Sequence, residues 1–106
     1  MLFRSLSSDA PYGPVDPWTV ITAAVHRTSP SGHVIGPAER LAPAQALAGY
    51  LGPPDTPGAA PRRVAVGSPA DLVLLRVPLA RALEAPSADL VAATIIDGCI
   101  VAAAPE

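Results

Sequence analysis

The spacing of apolar residues changes character near residue 52. Before it, apolar positions recur at helical intervals; after it, they fall in short β-branched blocks. Trp18, Ile21, Thr22 and Val25 share one helical face. Asp16 is a favoured N-cap residue, and Pro17 at the first helical position gives up an N–H that has no intrahelical acceptor. Together they predict a helix over 17–27, stopped by Ser29-Pro30-Ser31-Gly32. Gly36 to Leu41 reads as a turn. Pro43 opens a second helix over 43–51, with Leu47, Tyr50 and Leu51 on one face and Gly52 as its stop. Ala42 stands where a capping side chain is preferred, a local cost of about 0.5–2 kcal/mol.

A proline- and glycine-rich loop from Gly52 to Pro61 divides these helices from the strand-rich half. Strands are expected over 64–66, 70–76, 90–96 and 99–103, with a turn at Gly67-Ser68-Pro69. Residues 78–85 read as a short helix or an irregular crossover. Asp97-Gly98 between two β-branched runs is a strong hairpin signal. The fold class is therefore α+β: two helices followed by a small, mostly antiparallel β-sheet. Three stretches follow: 1–52, a linker over 53–63, and a small β-sheet domain over 64–106.

The chain opens differently. Residues 2–8 read as a short strand or extended lead-in that delivers Ser7-Ser8-Asp9 into a proline-bounded loop, with the 17–27 helix behind it. A strand ending in a carboxylate and followed by a helix is the pattern of a β/α barrel, whose chemistry sits at the C-terminal ends of its strands. Only one such strand is present, so most of a barrel is lacking.

Composition narrows the picture. The 106 residues are half hydrophobic but only 4% aromatic, and the net charge is −2. Much of the apolar count is alanine, which buries little area, so the core is expected from Val, Ile and Leu. All seven basic residues are arginine, and Arg62-Arg63 is the one basic pair, which is no nucleic-acid footprint. The single cysteine, Cys99, has no internal disulfide mate and no metal spacing, and reads as a small buried strand residue. No charged-then-apolar leader opens the chain, and no apolar run reaches the roughly 20 residues of a spanning helix. The expectation is a cytoplasmic protein, not bound to a membrane.

The order of motifs resembles the C-terminal part of the amidohydrolase superfamily, most closely its amidohydrolase-3 branch. Ser8-Asp9-Ala10-Pro11 with Asp16-Pro17 resembles the end of the eighth barrel strand and the start of its helix. Ala23-Ala24-Val25-His26-Arg27 resembles that helix's body. Glu39-Arg40-Leu41, Pro43, Ala46-Leu47 and Tyr50 resemble the next helix. Gly67, the run Ala70-Asp71-Leu72-Val73-Leu74-Leu75 and the Thr94 to Val101 hairpin resemble the small composite β domain after the barrel. The likeness covers roughly residues 5–103. Ser7 replaces a usual glycine, Ala42 a capping Ser or Thr, and Arg76 a frequent aspartate.

The resemblance implies one or two divalent metals, zinc-like, at the mouth of the barrel. Histidines from earlier strands, often with a modified lysine, hold them. The aspartate ending the eighth strand, matched by Asp9, moves a proton from metal-bound water. A divalent cation brings the pKa of that water toward about 7, and a nearby carboxylate takes the proton and delivers it to the leaving amine. Apart from the resemblance, Asp9 reads as a turn residue, since Asp-x-Pro is common turn chemistry.

The other ligands are missing from the sequence. There is no His-x-His, the two histidines His26 and His33 have no metal spacing, and there is no lysine. Asp9 alone cannot hold a catalytic zinc, which uses three protein ligands plus water. No metal or other cofactor is expected in this chain alone, and Asp9 contacts a metal only if the remaining ligands arrive in trans. Ser7 and Ser8 have no histidine at nucleophile spacing, and Gly32, Gly36 and Gly67 form no phosphate loop.

Three functions remain: a truncated, silent relative of hydrolases acting on non-peptide carbon–nitrogen bonds; a subunit completing a site with a separate barrel chain; or a non-catalytic oligomerisation or scaffold module. The strands have two apolar faces and open edges, so a homodimer or higher oligomer through exposed strands is expected.

Overall fold

The computed structural model describes residues 5–105. Its helices are α1 (Pro17–His26), α2 (Pro43–Ala48) and α3 (Leu79–Glu84). Its strands are β1 (Leu72–Leu75), β2 (Val91–Ile96) and β3 (Cys99–Ala103), with single 3-10 turns at Pro37–Glu39 and Ala88–Leu90. The architecture is a small α+β arrangement with a three-stranded antiparallel sheet and no barrel. The chain divides into two compact units, Met1–Arg62 and Arg63–Glu106. No helix among the described residues is long and apolar enough to cross a membrane.

In the first unit α1 starts where its cap dictates. Asp16 Oδ1 accepts the Trp18 N–H at 2.9 Å, and its Oδ2 accepts the Thr19 hydroxyl at 3.0 Å. The helix ends one residue short of the expected bound because Arg27 takes a left-handed conformation (φ 53°) and sends its N–H back to Ala23 at 2.7 Å. A bridge between Thr28 and Val34 then closes a small loop. α2 has no side-chain acceptor at Ala42, but Gln45 Oε1 accepts the Ala42 N–H at 3.0 Å, one half of a reciprocal cap. This helix stops at Ala48 rather than 51. Tyr50 and Leu51 donate three residues back, to Leu47 and Ala48, so the last turn tightens out of the α form. α1 packs on α2, each burying one residue, Ile21 and Ala46, while Trp18, Val25, Leu47 and Tyr50 are half-buried.

In the second unit, Asp97-Gly98 makes the hairpin turn between β2 and β3, both residues at positive φ (50° and 75°). The turn is pinned to the start of β1: Asp71 Oδ1 accepts the Asp97 N–H at 2.9 Å, and the Gly98 N–H reaches the Ala70 carbonyl at 3.0 Å. Asp71 thus serves a donor 26 positions away in sequence. The sheet order is β1-β2-β3, with β1 and β3 as edges. Within the 78–85 stretch, Leu79–Glu84 form the helix α3, with Pro78 and Ala85 as its non-helical flanks. Arg76 follows the end of β1, its backbone N–H on the Leu90 carbonyl and its guanidinium on the Pro105 carbonyl, both at 2.8 Å.

Four expectations are corrected. Residues 64–66 form no strand: Val64 and Val66 are fully displayed (85% and 109% exposed), and the Ser68 N–H closes a turn on Ala65. A three-residue apolar run with no neighbour to pair with does not become a strand. Residues 5–8 form no strand either, and the rest of the 2–8 lead-in lies outside the described residues. Cys99 is exposed, because β3 is an edge strand exposed at all five positions. Among the described residues the buried apolar side chains are Ile21, Ala46, Ala82 and Ala93, so isoleucine enters the core as expected while alanine, not Val or Leu, supplies the rest. Short elements approach closely only where side chains are small.

This leaves much apolar surface outside. Val73, Leu74, Leu79, Ile96, Ile100 and Val101 are all exposed in the sheet unit.

Candidate functional site

Asp9 is the one residue that the sequence singles out for chemistry, and the local chain explains how it is displayed. Ser7 Oγ accepts the Asp9 N–H and Ser8 Oγ the Ala10 N–H, each at 3.3 Å. The Tyr12 N–H donates to the Asp9 carbonyl at 2.9 Å, closing a turn that contains the cis Ala10–Pro11 peptide. Asp9 itself has φ 53°, a conformation in which aspartate is among the better-tolerated non-glycine residues. The loop folds back so tightly that a Cβ at Gly13 would collide with the Ser8 carbonyl oxygen. Only glycine fits there, a requirement that a lone glycine in a proline-rich loop does not announce.

The outcome is a carboxylate on an exposed loop, with no hydrogen bond or ion pair to its side chain among the described residues. Both serine hydroxyls are spent on the turn's own backbone. Among the described residues nothing is built around the exposed Asp9.

The remaining metal-type donors lie apart from it in role and setting. His26 is the last residue of α1, exposed, its carbonyl accepting Arg40 Nε at 3.2 Å. His33 belongs to the bridged loop, where its Nδ1 meets the Ser31 hydroxyl at 3.0 Å and its backbone N–H meets Ser29 Oγ at 3.2 Å. Cys99 is in the other unit. Among the described residues no three His, Cys, Asp or Glu side chains are grouped so as to hold a metal ion. The residues present do not fit the divalent metal that the resemblance implies.

One cleft of about 360 Å³ opens in the first unit, lined by Leu6, Ala24, Arg27, Glu39 and Leu41. Asp9 is not part of its wall. Arg27 is held at its rim, with Nε on the Ile35 carbonyl at 2.7 Å. Nothing in the sequence pattern pointed to this cleft; it arises from the left-handed turn at Arg27, which brings the 35–41 segment back over α1.

The sequence profile of the Amidohydrolase family matches residues 4–102. No curated protein and no solved structure matches the chain.

Proposed function

Because the chain belongs to the amidohydrolase family, we propose that it is a relative of the metal-dependent hydrolases of non-peptide carbon–nitrogen bonds that is catalytically silent by itself. One observation carries this, the donor set. Catalytic zinc needs three protein ligands beside its water. The chain offers an uncommitted Asp9, a histidine ending α1, a histidine tied into a loop of serines, and no lysine. In this reading residues 1–52 correspond to the last barrel strand and the helices behind it, 53–63 to a linker and 64–106 to the small β domain. Asp9 keeps the family's proton-transfer position as a vestige. The protein acts in the cytoplasm as a self-associating module, which supplies cover for its exposed strands.

A second reading has one feature in its favour. The Asp9 carboxylate is exposed and unpaired among the described residues, free to enter a site whose other ligands come from a separate barrel chain. Metal analysis of the protein purified from its own host, with identification of anything that co-purifies, separates the two. Assembled protein free of zinc, iron and manganese supports the silent module. Stoichiometric metal together with a co-purifying chain bearing His-x-His supports the shared site. Saturable carbon–nitrogen hydrolysis by the chain alone, abolished in Asp9→Asn, overturns both.

A further inference from the structure

We propose that Asp97 is a site of spontaneous backbone isomerisation, and that the Asp71 carboxylate sets its rate by holding the β2–β3 turn shut. The chemistry needs an aspartate followed by an unhindered amide nitrogen, and Asp97 is the one aspartate of the chain that precedes a glycine. In the reaction the Gly98 nitrogen attacks Asp97 Cγ. A C–N bond forms, the carboxyl C–OH bond breaks, and the hydroxyl leaves with the amide proton as water. Water then reopens the cyclic imide at either carbonyl. One opening restores aspartate; the other leaves isoaspartate, whose main chain runs through Cβ and Cγ and is one carbon longer. The water lost is regained, so the mass is unchanged and no oxidant, reductant or cofactor takes part.

The structure leaves the carboxyl group ready and withholds the nitrogen. Asp97 is exposed, and its side chain has no hydrogen bond or ion pair among the described residues. The glycine side of the turn is open, since a Cβ at Gly98 would meet nothing nearer than Ala70 Cβ at 4.0 Å. The Gly98 N–H, however, is donated to the Ala70 carbonyl at 3.0 Å, and the Asp97 N–H to Asp71 Oδ1 at 2.9 Å. Both bonds tie the turn to the residues that lead into β1, so releasing one weakens the hold on the other. An amide held on an acceptor becomes available only when that part of the fold opens. Asp71 supplies the charged acceptor, the stronger class of bond, and so acts as a positioning residue that never touches the reacting atoms. The product matters to the sheet. Ile96 pairs with Cys99 across a two-residue turn, and an extra main-chain carbon there breaks the fit that sets the β2–β3 register.

The full chain is aged at neutral pH, and isoaspartate is read by enzymatic methylation of the isoaspartyl carboxylate and by mass spectrometry of the peptide that spans Asp97 and Gly98. The urea-unfolded chain is expected to isomerise at Asp97 at least about tenfold faster than the folded one. Asp71→Ala is expected to speed the folded rate by about tenfold, the effect of losing one hydrogen bond to a charged group. Asp71→Asn keeps an oxygen acceptor and is expected to stay nearer the wild type. Ala82→Gly weakens the same unit at a buried position of α3, away from the turn, and is expected to leave the rate near the wild-type value. No isoaspartate at Asp97 even in urea overturns the site. Equal rates in the folded and unfolded chains overturn protection by the turn. An acceleration by Ala82→Gly as large as that by Asp71→Ala shows that the unit reacts through general unfolding and overturns the role of Asp71.

Discussion

Gly49, just past α2, tests how the first unit is packed. Its backbone is right-handed (φ −62°, ψ −18°), so alanine meets no conformational objection there. On propensity alone Gly49→Ala gains up to about 1 kcal/mol. The surroundings oppose this. A Cβ at residue 49 stands 2.8 Å from Leu6 Cγ, 3.2 Å from the Ala46 carbonyl oxygen and 3.4 Å from Leu6 Cδ1. Carbon atoms pack best about 3.5–4.0 Å apart, so the first contact is short by roughly 0.7–1.2 Å. Leu6 cannot simply withdraw, because its own N–H donates to the Gly49 carbonyl at 3.1 Å and Cγ is a branch point. Overpacking of this kind costs about 1–3 kcal/mol. The expected net result is a loss of about 1 kcal/mol, read by urea unfolding through Trp18, the one tryptophan, half-buried in α1 of the same unit. In a Leu6→Ala background the same substitution is expected to turn neutral or stabilising, with a coupling of about 0.5–3 kcal/mol. Stabilisation by Gly49→Ala in both backgrounds would refute the placement of Leu6 against Gly49.

Gly98→Ala is expected to destabilise the sheet unit by about 1–2 kcal/mol, the cost of an L side chain at positive φ. Space is not the cause, since the nearest atom, Ala70 Cβ, is 4.0 Å away. Gly98→Asn should recover part of the loss, and equal stabilities for glycine, alanine and asparagine would contradict the turn geometry. The Tyr50 phenol is held above the usual value of 10.0 by burial first and by the Asp16 carboxylate second. Above pH 10 the unfolded chain therefore gives up this proton more readily than the folded one, and stability falls as pH rises past that point. Tyr50→Phe is expected to flatten this fall in urea midpoints measured from pH 9 to 11; an unchanged slope counts against the burial of Tyr50.

The helix starts and the hairpin were legible because each is fixed by local chemistry. Asp16-Pro17 sets the first turn of α1, and Asp97-Gly98 sets the β2–β3 turn, whatever else the chain does. Ends and pairings were less legible because distant groups decide them. α2 stops early where its last N–H groups turn to carbonyls three residues back, beside the contact of Gly49 with Leu6. The strand expected at 64–66 needs a neighbour, and none of the described strands pairs with it. Cys99 looked buried because an apolar run reads alike in a central strand and at an edge; the order β1-β2-β3 made it an edge. Asp9 was singled out by the motif resemblance alone; the turn that displays it, with the cis Ala10–Pro11 peptide and the close approach of Gly13 to Ser8, depends on backbone geometry that the residue pattern does not announce.

The most direct test of a catalytically silent chain is zinc titration of the purified protein against a chromophoric chelator at neutral pH. No stoichiometric site is predicted, and Asp9→Asn should behave as the wild type does. One tightly held zinc per chain, lost in Asp9→Asn and accompanied by carbon–nitrogen hydrolysis, would contradict it.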